Sequence, residues 1–369
     1  MTATLTRLAF TVDPKPLAAA VAWAAKHLPS RPTVPVLAGM LLEVRDGLLT
    51  VSAYDEEAAA TATLEVSAAS NGTVLVSGRL LHGLLSTLDG RKPLQVAFDG
   101  NKATINYGGI LTLPTLPVED YPALPTLPDV AGTVDGAVFA RLVERVAVVA
   151  GNGSDLAVLA AVALRFSAGR LTVLATDRYR GALDTIRLDG YIGPEVERLV
   201  PAAVLKTAAP LLADGGVSVS GSDSLLGLST ATRSLTVRLM DGNFPKVDQF
   251  IPARADNPIL VPVDTVIKAV KRAELARDKV GPVHLAFRPG QLTVGATDGD
   301  NRLSEPLDLD YDGEGYTVAV NPHFLADALH AAGGPQVEMS LNPDPKRPIL
   351  VTAVNDETYR HFAMPIRTS

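Results

Sequence analysis

Six histidines, no cysteine and scattered carboxylates are the groups of this 369-residue chain that could carry covalent or metal chemistry. Zinc sites on one element need imidazoles in HxH or HExxH spacing. His27, His82, His284, His323, His330 and His361 show neither. His323 and His330 are seven apart and share a helix face, which reads as a surface pair. The missing thiols exclude disulfides, thiolate metal sites and cysteine nucleophiles, and suit a reducing cytoplasm. The stretch DLDYDGEGYTVA (308–319) opens like a calcium loop at Asp308, Asp310 and Asp312. Ala319 stands where such a loop needs its bidentate glutamate, so a strand and its turn fit better. There is no Walker loop, GxGxxG or nucleophile elbow. The expectation is a binding protein with no catalytic residue, no metal and no cofactor.

What remains is charge, and its meaning depends on the elements that carry it. The net charge of −7 argues globally against nucleic acid. No apolar run reaches membrane-span length, so neither a membrane nor a secreted location is expected.

The elements repeat. LTVSAYDEEA, LTVLATDRYR and LTVGATDGDN end their apolar runs at Asp55, Asp177 and Asp298, at steps of 122 and 121 residues. Such a period sets the architecture before any local reading. Before each comes a Val-Asp pair and a run with helical spacing (10–26, 132–150, 260–276), and after each a second helical run (76–88, 200–212, 320–332). Asp13, Asp135 and Asp264 are expected N-caps. Proline-rich stretches at 113–128 and 243–258 read as extended linkers. Three α+β domains of one fold follow, at 1–127, 128–254 and 255–369.

Located on these elements, the charge segregates. The six predicted helices (16–26, 77–88, 137–150, 201–212, 265–279 and 322–332) carry ten Lys or Arg against four acids. The strand-rich remainder of an acidic chain is therefore more acidic still. Helix tolerance of lysine and arginine would produce part of this. A surface that meets phosphate through helices would produce all of it, with salt-sensitive, sequence-independent binding.

The three units, the proline-marked junctions and the segments RPTVPVLAGMLLEV (31–44), ATDRYR (175–180), DGNFPKVDQFIP (241–252) and MPIR (364–367) together resemble the bacterial DNA polymerase III beta subunit family, the sliding clamps. The resemblance implies a head-to-tail homodimer: a ring of six similar domains, helices lining a central hole and antiparallel sheets outside. Such a ring encircles double-stranded DNA and gives the polymerase processivity without catalysis. It implies DNA-facing roles for Arg31, Arg79, Arg141, Arg145, Lys206, Lys268, Lys271 and Arg272. The dimer contact would join Leu111 and Leu113 to Glu274 and Leu275 of the other copy. A cleft between the second and third domains would take short linear motifs of the polymerase III alpha subunit, the clamp loader and repair proteins. Its residues here would be Leu159, Thr176, Arg178, Tyr179, Arg180, Gly181, Pro245, Gln249, Phe250, Val280, Asn321, Phe324, Pro348, Met364, Pro365, Ile366 and Arg367. Apolar walls would hold aliphatic or aromatic anchors, and Arg and Asn would orient the peptide backbone.

Three positions depart from the family pattern. Gly181 replaces a large aliphatic residue, which predicts a hollower cleft wall. The loop 151–157 lacks basic and aromatic residues, and Thr368 replaces a leucine. These leave open an alternative: a divergent copy with altered cleft selectivity, an inhibitor-tolerant replacement or decoy in antibiotic resistance, with a cyclic peptide as the inhibitor.

Overall fold

The computed structural model describes residues 7–68, 70–90, 92–151, 156–277, 281–342, 344 and 346–367. They form two compact units, 1–137 with 207–239 and 138–206 with 240–369. The cut falls inside the middle third of the sequence, for a reason visible in the strand ladders. Strand Arg233–Arg238 of the middle third pairs antiparallel with Ala58–Glu65 of the first, Leu235 opposite Ala60. Strand Arg180–Arg187 pairs with Arg360–Ala363 of the last third, Gly181 opposite Phe362. Sheets thus continue across the boundaries of the sequence repeat.

The first unit is built on one thirteen-stranded sheet. Its strands alternate, as in Leu94–Asp99, where Leu94, Val96 and Phe98 are buried and the residues between them exposed. The second unit holds an eight-stranded and a four-stranded sheet. In the four-stranded sheet, Asn301–Asp308 forms one edge and Tyr316–Val320, the end of the calcium-like stretch, the other.

Among the described residues six α-helices accompany these sheets: α1 (Pro14–Ala25), α2 (Gly78–Leu85), α3 (Gly136–Ala147), α4 (Ala202–Ala208), α5 (Val263–Ala273) and α6 (Pro322–Ala332). Their positions follow the expected spans, and the ends differ where proline or cap chemistry intervenes. A 3-10 turn, Ala209–Leu212, with Pro210 in its first positions, replaces the second half of the predicted 201–212 helix. Two of the three expected aspartate caps are corrected. Asp13 holds the N-cap position of α1 but makes no side-chain cap bond. Pro262 precedes α5, which leaves Asp264 inside the first turn, where it complements the helix dipole. In α6 the cap is Asn321, whose side chain accepts from the His323 amide at 2.9 Å. The first proline-rich stretch is also not wholly a linker, since Ile110–Leu116 is a strand.

Helix α5 gives the clearest case of sequence dictating orientation. Val263, Val266, Ile267, Val270 and Ala273 are buried, and Lys268, Lys271 and Arg272 project from the exposed side. The apolar residues recur at helical spacing, so burying one stripe forces the cations onto the opposite face.

Candidate peptide-binding cleft and cationic faces

Two of the three repeated aspartates close a turn with their side chains. Asp55 Oδ1 accepts from the amides of Glu57 and Ala58, at 3.0 and 2.7 Å. Asp177 Oδ1 accepts from the amides of Tyr179 and Arg180, both at 3.0 Å. Such a side chain mimics a backbone turn. The next residue is left-handed in every copy: Glu56 at φ 72°, Arg178 at φ 81° and Gly299 at φ 52°. Only the third uses glycine, the residue that adopts this region without cost. Arg178 is therefore held in a strained conformation, its amide donating to Thr176 Oγ1 at 3.2 Å. Thr176 Oγ1 in turn donates to the Arg180 carbonyl at 2.7 Å.

Around this turn the second unit gathers several predicted cleft residues. The Arg180 guanidinium stacks on the Phe324 ring, 4.4 Å from its centroid. It donates to Asp177 at 2.9 Å and to Asp327 at 2.5 Å. The Met364 amide donates to the Tyr179 carbonyl and the Ile366 amide to Ala319, both at 2.8 Å, which ties the C-terminal tail across the site. Pro348 is buried just beyond the Ile349–Ala363 pair, where the chain continues into Met364. Leu159 and Thr176 are buried, whereas Tyr179 and Phe250 are each 63% exposed. Pro245 is half-buried, as are Pro365 and Ile366, and Gln249 and Arg367 are exposed. Val280 and Thr368 lie outside the described residues, as does most of the 151–157 loop.

Two expected roles are corrected by this geometry. Arg180 is 9% exposed and engaged within the chain, so its guanidinium is not free to orient a peptide. Asn321 caps α6 instead. Among the predicted cleft residues, the cations still presented to solvent are Arg178 and Arg367.

The wall at Gly181 is not hollow either. Gly181 is buried, and a Cβ built on it would meet the Phe362 ring at 2.5 Å. The ring of the cross-strand partner occupies the space that a side chain at 181 would take. Phe362 was missed because strand pairing, not sequence proximity, brings it to Gly181. By alternation along the strands, Gly181, Phe362, Thr176 and Leu174 share one sheet face. Leu174 packs there with Phe244 and Val247.

Arg31, in the loop after α1, and the helix cations divide into exposed and engaged. Arg31, Arg141, Lys206, Lys268 and Lys271 are exposed. The Lys206 ammonium titrates below its ordinary range, through partial burial first and Arg180 second, with Asp327 opposing. Arg79 donates to the carbonyls of Pro29 and Ser30, at 3.2 and 2.6 Å, and Arg272 pairs with Glu305. Arg145 is corrected outright. Its side chain, 11% exposed, bridges Asp184 at 3.3 Å and Asp356 at 2.8 Å, donates to the Ala332 carbonyl, and lies over Tyr359. Burial alone would raise the Asp356 carboxyl, but bonds from Thr358, Arg145 and two amides hold it down to about 2. A guanidinium committed to two carboxylates has no charge left for phosphate.

At the other predicted surface, Leu275 is 85% exposed, but Leu113 is buried at 2%. Strand alternation turns Leu113 into the core and leaves Ile110, 71% exposed, as the apolar residue that faces out. Leu111 is half-buried.

Family models of the DNA polymerase III beta subunit match the chain in three consecutive pieces. The N-terminal domain matches residues 8–125, the central domain 133–246 and the C-terminal domain 248–367. The Beta sliding clamp of Streptomyces coelicolor is 38% identical, over 96% of this chain and 97% of its own length. The chain belongs to the beta sliding clamp family. It is thus a non-catalytic processivity factor of DNA replication, built of three clamp domains. The beta sliding clamp homolog GriR of Streptomyces muensis is 31% identical, over 97% of this chain and 99% of its own. The fold agrees with a Pseudomonas aeruginosa sliding clamp solved bound to griselimycin (TM-score 0.91, 22% identity, 98% of this chain and 100% of that one). The Bacillus subtilis clamp gives 0.91 at 21% identity, covering 99% and 100%. Among the described residues no helix is long and apolar enough to cross a membrane.

Proposed function

We propose that two copies of this clamp close head to tail around duplex DNA, each contributing domains at 1–127, 128–254 and 255–369. The observation that carries the reading is an unfinished pattern of strand pairing. The strand closing the middle third pairs with Ala58–Glu65, and the strand closing the last third pairs with Arg180–Arg187. Among the described residues the equivalent edge in the last third, Asn301–Asp308, has no second neighbour, and Ile110–Pro114 of the first third is paired on one side only. Joining these two edges between copies repeats the same contact, with exposed Ile110 and Leu275 at the seam, and a heterologous contact closes when its rotation allows. Glu274, bonded to Arg277 at 3.0 Å, keeps the seam partly polar. Sedimentation at micromolar concentration should give a dimer, and Leu275→Asp should shift it towards monomer by tenfold or more in Kd. A monomer in the unmutated chain overturns the ring.

In this ring Arg31, Arg141, Lys206, Lys268 and Lys271 face DNA, and the cleft around Thr176, Gly181, Phe324 and Met364 receives short segments of the polymerase alpha subunit, clamp loader and repair proteins. A second reading is an inhibitor-tolerant copy, favoured by the likeness to GriR and by the Gly181–Phe362 wall. Against it, identity to the Streptomyces coelicolor clamp is higher, 38% against 31%. Titration with griselimycin separates the two: a tolerant copy binds it weakly and still binds its polymerase.

A further inference from the structure

We propose that the sheet face carrying the cleft runs on into a second, anion-binding subsite, a notch lined by Arg170, Arg187 and Arg360 that takes an acidic segment of a protein partner. It rests on the cleft reading only for its placement. The notch has a volume of about 660 Å³ and is floored by Leu183, Thr185 and Ile186. It exists because strand Arg360–Ala363 pairs only with residues 180–183, so 184–187 continue without a neighbour on that side. Leu183 lies opposite Arg360, and Arg170 directly opposite Arg187. Alternation places all four on the face that holds Gly181 and Phe362.

The charge arrangement points to a ligand. Like charges directly opposite on neighbouring strands destabilise a sheet, and this chain sets two arginines in that position. Arg187 is tethered to Asp189, whereas the side chains of Arg170 and Arg360 engage no hydrogen bond or ion pair among the described residues. Glu357 is the one carboxylate lining the notch. A bound carboxylate would relieve the repulsion through charge-assisted, bidentate bonds. The notch is small, and Glu357 in its lining and Asp189 on Arg187 flank the arginines, so a few carboxylates fit it better than a long polyanion. From Gly181 to Arg187 is about 20 Å of extended strand, at roughly 3.3 Å per residue. A partner segment anchored in the cleft would therefore reach the notch with acidic residues some six positions away.

The experiment titrates the full chain with fluorescein-labelled acetyl-hexaglutamate amide at low salt, against R170Q/R187Q/R360Q. All three side chains reach solvent, so the variant should keep the parental melting temperature. The expected result is binding that weakens with salt and falls at least tenfold in the triple variant, while saturating griselimycin leaves it unchanged. Equal affinity in the variant overturns the subsite. So does displacement of the peptide by a short DNA duplex at equal charge concentration, which would make the occupant a nucleic acid. If a cleft-binding peptide of the polymerase fails to bind while hexaglutamate still needs the arginines, the cleft reading falls and this one stands.

Discussion

Gly181 and Phe362 must be judged as one unit. A leucine at 181 would overlap the ring, and overpacking of this kind costs about 1–3 kcal/mol unless the ring moves. The expected outcome is that Gly181→Leu weakens both a partner peptide and griselimycin, whereas Gly181→Leu/Phe362→Val recovers stability and binding together. A double-mutant cycle on the urea midpoint and on the peptide Kd should give a coupling of about 1 kcal/mol or more. Additivity would mean that the two side chains do not share the space. At Arg178 the left-handed backbone makes a separate prediction. Arg178→Gly should stabilise the turn by up to about 1 kcal/mol if the strain is local, and weaken peptide binding if the guanidinium is used.

At the scale of the element, the helices separate two kinds of basic residue that look alike in sequence. Lys268→Ala/Lys271→Ala should leave the melting temperature nearly unchanged and lower the salt slope for a short duplex by about 2, one unit per phosphate contact. Arg145→Ala should do the reverse, costing about 3–5 kcal/mol because Asp184 and Asp356 lose their partner, with the slope unchanged. An altered slope in Arg145→Ala would restore its DNA role. The three-unit order, the helices and the strand ends at the repeated aspartates were legible because local periodicity writes them directly. The exposed cations of α5 were legible from the same stripe that buries Val266 and Val270. What was not legible came from partners remote in sequence: Asp184 and Asp356 closing on Arg145, Phe324 under Arg180, Phe362 filling the place beside Gly181. Leu113 was misplaced for a smaller reason, since a shift of one residue along a strand exchanges inside for outside.

For the whole molecule, buried titratable groups make acid the expected weak point. Burial first, and Arg180 second, hold the His361 imidazole down to about 3, and its Nδ1 meets the Tyr359 hydroxyl at 3.0 Å. A histidine lowered in the folded state contributes stability that is complete above its ordinary value of 6.5 and is lost as pH falls towards 3. By pH 5 that loss is about 2 kcal/mol. His27 is also lowered, by burial against the opposing pull of Asp55, and adds in the same direction. Asp356 acts only in stronger acid, its contribution disappearing from about pH 4 to pH 2. Asp184, raised by burial, opposes these, since its neutral form suits the fold better. The urea midpoint should therefore fall between pH 7.5 and pH 5, and His361→Gln should flatten that fall. An unchanged slope in the variant would assign the acid sensitivity elsewhere.

The ring of Phe362 lying in the vacancy at Gly181 also dictates an order of events for any lineage that changes this wall. Acquiring a leucine at 181 first passes through an overfilled intermediate, and shrinking Phe362 first passes through one with a cavity, which costs roughly 1–3 kcal/mol for a truncated buried aromatic that is not cut to alanine. The second route is passable in a clamp with a few kcal/mol to spare; the first overfills the wall of the proposed cleft. Exchanges at these two positions should therefore be found in pairs, with the smaller residue arriving before the larger, and a drug pressing on this wall would select changes at 362 before any at 181.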